Sequence, residues 1–417
     1  MEEIQKSIAK EHIRCRCCGS SKLVKYLDLG VMPLANNLEL TKQLAIDAER
    51  YPLEVMLCQK CGLSQLSVVI DPTVLFSYYT YRSGVNQGYI DHCKQMAEDL
   101  AKEYEFDSDT FHIDIAGNDG TLLEVFRRKL KHKCLNVDPA DNLTRIAMEE
   151  KLISCICDFW GKSVVNRYSL DGEADLITAT NVFAHLDDVK GFLEACHLAI
   201  KNTGILVIEN PYIRDFIYKN EFDQVYFEHV SYWSANPLNE LARSVGLKLI
   251  DCKWMDIHGG TMRYVLAKEN SAYKTNQSVF NQITSEVLSK YHRIEIYEDW
   301  AKAVYYVAKN LKRNLSNLKS NGFKIAGFAA SAKGNTLLNF AEIDHSMIDF
   351  IVDQTPEKIG KFSPGTGIPI VGMEEIGFQN PDYIIILSWN FKDEIIEKLR
   401  PIFKGKFIIP MPEFEVI

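Results

Sequence analysis

A chain of 417 residues exceeds what one hydrophobic core supports and predicts two or three domains. Its 47% apolar and 25% charged residues are those of an ordinary globular protein, and a net charge of -9 excludes a general nucleic-acid binder, which needs a basic footprint. Apolar runs such as Tyr383-Ile-Ile-Ile-Leu387 are strand-length, so no membrane partner is expected. The first residues carry no apolar signal core, which predicts a cytoplasmic protein with its 11 cysteines as thiols or metal ligands.

Residues 1–75 predict a zinc module. Cys15-Arg-Cys-Cys18 and Cys58-Gln-Lys-Cys61 are two CxxC knuckles. Each turns tightly enough for both thiolates to face one cation, and Cys15, Cys18, Cys58 and Cys61 together complete a tetrahedral S4 set for a structural Zn2+. Gly19 and Gly62 suit the turn after each second cysteine, whereas Cys17 has the wrong spacing. No basic cluster surrounds the knuckles, which ranks a nucleic-acid-binding ribbon low.

Residues 76–275 predict a Rossmann-like α/β domain. The run Tyr78-Tyr-Thr-Tyr-Arg-Ser-Gly84 fits neither strand nor helix periodicity and leads into a helix over 89–104. Phe111-His-Ile-Asp-Ile-Ala-Gly-Asn-Asp-Gly120 reads as a strand and a glycine turn, where Gly117 and Gly120 let the backbone approach a ligand. Asp138 ends the next strand, where a carboxylate can accept both ribose hydroxyls of a nucleoside. Glycine turn and acid alone do not separate NAD from S-adenosylmethionine. The loop is GxxG without the GxGxxG that a pyrophosphate needs, and Asp119 within it would repel phosphate but tolerate a sulfonium. Both features favour S-adenosylmethionine. Cys155-Ile-Cys-Asp158-Phe159 offers an edge for adenine. Strands at 174–181 and 204–210, a helix over 188–200 and an antiparallel pair at 247–254 and 260–268 complete a mostly parallel sheet.

Within this domain, Glu221-Phe-Asp-Gln-Val-Tyr-Phe-Glu-His-Val-Ser-Tyr-Trp-Ser234 gathers Tyr226, Glu228 and His229 among aromatics. A histidine and a carboxylate in such surroundings suit proton transfer, because burial and neighbouring charge tune their pKa values. A buried, hydrogen-bonded core cluster is the alternative reading.

Residues 276–320 predict two connecting helices, over 280–293 and 300–318. Residues 321–417 predict a smaller Rossmann-like domain. Its small-residue loop with Lys333 suits a diphosphate, Asp353 ends its next strand, Lys358 opens a basic glycine loop, and Trp389 and Asn390 end a further strand.

These motifs resemble the zinc-containing, S-adenosylmethionine-dependent sugar C-methyltransferases that act on nucleotide-linked 4-keto-deoxysugars. The matches cover nearly the whole length in the family's order. They are the CxxC pair, Tyr81-Arg-Ser-Gly84, Asp114-Ile-Ala-Gly-Asn-Asp-Gly120 and Val137-Asp-Pro-Ala140. Further along come Asn181-Val-Phe-Ala-His185, Tyr226 with Glu228-His229, His258-Gly-Gly-Thr-Met-Arg263 and residues 329–334. Two positions depart. Phe227 stands where the family often has a second histidine, so any role of that residue is absent, and Ala116 opens the glycine loop.

The resemblance implies S-adenosylmethionine binding by Tyr81, Ser83, Gly117, Asn118, Asp119, Gly120, Asp138, Pro139, Asp158, Phe159 and Asn181. It implies a dTDP- or GDP-linked sugar held by His185, Asn210, His258, Gly259, Arg263, Lys333, Asp353, Lys358 and Trp389, with the third domain helping to hold the nucleotide. By position alone, His185 and His197 read as structural. Methylating carbon requires a base to remove a proton beside a carbonyl, here the C3 proton of a 4-ketosugar, with C5 as the alternative. His229 is the expected base and Glu228 its orienting or charge-balancing partner, a contact that requires a turn because strand neighbours point oppositely. Tyr226 is the expected donor to the enolate oxygen, with His258 second. A small-metabolite O- or N-methyltransferase would not need the third domain, and a zinc-ribbon regulatory protein would not need the Tyr226-Glu228-His229 cluster. No interface signature stands out, and a monomer fits.

Overall fold

The computed structural model describes residues 8–79, 81–257 and 259–417. Among them no helix is long and apolar enough to cross a membrane. Three sheets of four, seven and six strands organise the chain, beside a short ribbon of Ala9–Glu11 with Val68–Ile70.

Strands β1 (Leu23–Pro33), β2 (Arg50–Cys58) and β3 (Ser64–Leu66) form an antiparallel ladder that carries the cysteine knuckles. Tyr51, Leu53, Val55 and Leu57 alternate inward along β2, the period of a sheet with one wet face. The fourth strand is not local. Ser231–Tyr232, just after His229, pairs with β3 through Gln65 and Ser64, so the segment carrying His229 is stitched to the cysteine module.

Helix α1 (Gln87–Glu103) starts where the Asn86 side chain accepts the Tyr89 amide, and buries Tyr89, Cys93, Met96, Ala97 and Leu100 at helical spacing. Next come β4 (Phe111–Ile115), α2 (Thr121–Leu130), β5 (Lys133–Val137), β6 (Ser154–Ile156), β7 (Ala174–Thr180) and β8 (Ile200–Pro211). Strands β9 (Leu247–Met255) and β10 (Thr261–Lys268) are the antiparallel pair. The sheet order is β9-β10-β8-β7-β4-β5-β6, parallel from β8 to β6. Strand order reverses between β4 and β7, the crevice where open α/β sheets bind ligands.

Helices α3 (Gln277–Leu288) and α4 (Ile294–Ser320) join this unit to the last one. They begin earlier than periodicity predicts, and the break between them contains Lys290 in the left-handed region, φ 59. The third sheet comprises β11 (Ile325–Phe328), β12 (Phe350–Val352), β13 (Ile370–Val371), β14 (Tyr383–Ile386), β15 (Lys406–Ile409) and β16 (Glu415–Val416). Its order is β13-β12-β11-β14-β15-β16, with only β16 antiparallel. Helix α5 (Ala332–Phe340) follows β11 and touches the cysteine module, where Asn335 Nδ2 donates to the Ala35 carbonyl at 2.9 Å.

Candidate active site

The Sγ atoms of Cys15, Cys18, Cys58 and Cys61 lie within 4.8 Å of one another. Pairs stand 3.5 Å (Cys15 and Cys61) and 3.6 Å (Cys18 and Cys58) apart, near the roughly 3.8 Å edge of a tetrahedron of Zn–S bonds of about 2.3 Å. Gly19 and Gly62 adopt φ +68 and +80, and their amides close the knuckles onto the Cys15 and Cys58 carbonyls. The donor set fits zinc with no position left open, so the metal would brace the fold.

The second site lies at the carboxyl ends of β4, β5 and β6. Ala116, Asn118 and Gly120 all adopt positive φ, which opens the loop's backbone toward that crevice. Gly117 has no room for a side chain: a Cβ would stand 2.6 Å from both Asn136 Oδ1 and Asp114 Oδ2. Asp114 is buried, which pushes its pKa up to about 7, and its Oδ2 has no partner among the described residues. Asp138 accepts the Asn118 amide at 2.9 Å and the Ala140 amide at 2.8 Å, which leaves lone pairs for a ribose. Asn118 also binds the Tyr81 carbonyl and the Ser83 amide, drawing the polar-aromatic run over the loop. Pro139 follows Asp138 after β5 and Phe159 follows Asp158 after β6, with Asp158 paired to Arg167 at 2.8 Å, and Asn181 follows β7 at φ 56. These residues fit S-adenosylmethionine. The Asp119 carboxylate is fully buried, paired with Lys151 at 3.0 Å and Arg82 at 3.2 Å, and takes the Gly84 amide. These partners pin the loop and offset its charge.

Between the first and second sheets runs the segment 221–234. A turn places His229 back over Tyr226, whose carbonyl accepts the His229 amide at 2.9 Å. His229 Nδ1 stands 2.8 Å from the Gln224 carbonyl, which only accepts, so Nδ1 carries the proton. The Nε2 lone pair then receives the Tyr226 O–H at 3.0 Å. Burial, followed by the nearby His185, holds the His229 pKa well below the ordinary value. The ring is a neutral acceptor.

Glu228 differs from expectation. It does not touch His229, because its Oε1 accepts from Asn36 Nδ2 at 2.6 Å and its Oε2 from the Tyr79 hydroxyl at 3.1 Å. Burial raises its pKa to about 7, and no cation pairs with it among the described residues. Sequence reasoning missed Asn36 and Tyr79. The one sat in a turn-rich connection and the other in a run without periodicity, and that lack of periodicity was the available signal.

His185 lies 5.0 Å from His229 ring to ring and stacks on Phe76, with burial lowering its pKa to about 4. The structure gives the other expected substrate residues the following partners. Arg263 is buried on β10 against Glu209 (2.6 Å) and Asp99 (3.2 Å). Asp353 accepts the Ala330 amide and pairs with Lys358 at 3.5 Å, while Lys358 donates to the Ala330 carbonyl. Trp389 Nε1 donates to Asp223 at 2.7 Å. Asn210 donates to the Pro211 carbonyl, and its buried Oδ1 has no partner among the described residues. Gly259, at φ +93, packs against the Glu221 carboxylate, and His258 lies outside the described residues. Lys333 bears electrostatically on Glu221, Asp223 and His229.

Three family models match in succession: a zinc binding domain over residues 15–76, a methyltransferase domain over 89–251 and a C-methyltransferase C-terminal domain over 256–412. The chain is similar to the C-methyltransferase NovU of Streptomyces niveus, 29% identical over 408 residues that cover 97% of this chain and 96% of that protein. Among solved structures, an S-adenosylmethionine-dependent methyltransferase of Clostridium acetobutylicum covers 42% of this chain and 90% of its own, at 14% identity and TM-score 0.33. The magnesium protoporphyrin IX methyltransferase of Synechocystis with bound SAM covers 43% and 80%, at 8% identity and TM-score 0.34.

Proposed function

We propose that this chain, an S-adenosylmethionine-dependent C-methyltransferase, methylates C3 of a dTDP- or GDP-linked 4-keto-6-deoxysugar, with His229 as the base. The observation that carries this reading is the tautomer of His229: a buried, neutral imidazole with its Nε2 lone pair turned to a tyrosine hydroxyl.

S-adenosylmethionine, when bound, supplies an electrophilic methyl on a sulfonium. His229 Nε2 takes the proton from C3, and the C–H electron pair passes into the enolate of the neighbouring C4 carbonyl. Held by the loop Ala116 to Gly120 and Asp138, the donor would supply its methyl group to the enolate carbon, with inversion at the methyl carbon. To free the single Nε2 lone pair for the C3 proton, the Tyr226 O–H rotates away from it toward the C4 oxygen, where the enolate charge develops. Glu228 holds Tyr79 and Asn36 in place around this site rather than orienting the base. The loop of small residues before α5, with Lys333, supports a nucleotide diphosphate held on the side of the third domain.

The test is a panel of dTDP- and GDP-linked 4-keto-6-deoxysugars, with methyl transfer read by mass spectrometry. His229→Asn should keep S-adenosylhomocysteine affinity and abolish both turnover and exchange of the C3 proton into heavy water. Exchange at the wild-type rate would remove His229 as base, and a panel without a methylated 4-ketosugar would remove the substrate class.

A further inference from the structure

The turn formed by Phe222–Gln224 carries the carbonyl that selects the His229 tautomer, and the third domain grips that turn. Trp389, just beyond β14, donates its indole N–H to Asp223 Oδ2 at 2.7 Å. Asp223 immediately precedes Gln224, whose carbonyl faces His229 Nδ1, so a bond to the Asp223 carboxylate bears on that turn. The Phe340 ring of α5 meets Phe222 edge-on at 5.5 Å, and Lys333 supplies positive potential to Asp223. Asp223 is fully buried, with Oδ1 unpartnered among the described residues. A buried carboxylate with so few donors depends on each of them, because an unmade bond there carries the full desolvation penalty.

We infer that Trp389 and Asp223 are positioning residues for the base, through which the third domain holds the Gln224 carbonyl against His229 Nδ1. Trp389 thus acts through the turn and not as a sugar contact. The inference rests on His229 being the base, so its test reads the imidazole directly and without sugar.

The full chain, labelled with 15N-histidine and saturated with S-adenosylhomocysteine, is observed by NMR, with His229→Asn identifying the resonances. Wild type should show one tautomer, protonated at Nδ1. Trp389→Phe keeps an aromatic ring but loses the N–H, and should give a mixture in which at least a tenth of the Nδ1 protonation is lost. Trp389→His, which retains a ring N–H, should move back toward wild type. Asp223→Asn keeps an acceptor for the indole and provides a second variant, with a smaller change in the same direction. An unchanged tautomer in whichever of Trp389→Phe and Asp223→Asn binds S-adenosylhomocysteine like wild type would overturn the inference. A failed proton-exchange result with His229→Asn would instead remove the base assignment and leave the tautomer measurement standing.

Discussion

Glu228 is a buried carboxylate with two donors and no cation, and Glu228→Gln should make the protein more stable at alkaline pH. Its pKa stands at about 7 against an ordinary 4.5, with burial as the leading cause. At 1.36 kcal/mol per pH unit, this elevation makes the ionised form about 3 kcal/mol less favourable in the folded chain than in the unfolded one. The sign follows from the direction. For an acid raised on folding, the favourable contribution is complete below 4.5, declines as pH rises and is gone above 7. Glutamine removes the titration, but its amide N–H2 faces one of the two donors, Asn36 Nδ2 or the Tyr79 hydroxyl, and returns about 1 kcal/mol. The net gain at pH 8.5 is then about 2 kcal/mol, falling to a loss of about 1 kcal/mol at pH 4.5. Thermal unfolding of both proteins from pH 4.5 to 8.5, at fixed concentration and without ligand, reads this as a difference in Tm that changes sign. Parallel curves would refute the reasoning, since they would mean that Glu228 titrates alike in folded and unfolded chains.

Cys58→Ser should lose zinc by native mass spectrometry, and turnover should fall with it although the metal performs no chemistry, because β2, which ends at Cys58, pairs with β3, and β3 pairs with the strand Ser231–Tyr232 just after His229. Retained turnover in a zinc-free variant would break that link. Glu209→Gln removes the charge that faces the buried Arg263 guanidinium at 2.6 Å, leaving Asp99 at 3.2 Å as its carboxylate, and should cost about 1.5–3 kcal/mol, measured by denaturant unfolding near neutral pH. Glu209 itself is pushed down to about 2, with Arg263 the leading stabiliser of its charge against burial, so this contribution is present above 4.5 and is lost as pH falls toward 2. The variant should therefore converge on wild type in acid. A constant difference over that window would count against the ion pair as its source.

Features whose chemistry is local were legible in the chain. Two CxxC knuckles specify a metal set because a tight turn is a property of a few consecutive residues, and a strand followed by Ala116 to Gly120 specifies a ligand crevice for the same reason. The position of His229 among aromatics was likewise readable. Its tautomer was not, although the acceptor that decides it, Gln224, lies only five residues away. Asp119 shows the limit from the other side. Its charge argued for a sulfonium, yet Arg82 and Lys151, distant in sequence, neutralise it within the fold.

By itself the sequence determined the cysteine cluster, the alternating α/β order and the clustering of Tyr226, Glu228 and His229 in one short segment. Only the tertiary structure decided that Glu228 answers to Asn36 and Tyr79 rather than to His229, and that Trp389 reaches Asp223 from the third sheet. Periodicity records which face of an element is buried, whereas a pairing between residues 36 and 228 or 223 and 389 exists only after separate sheets have packed.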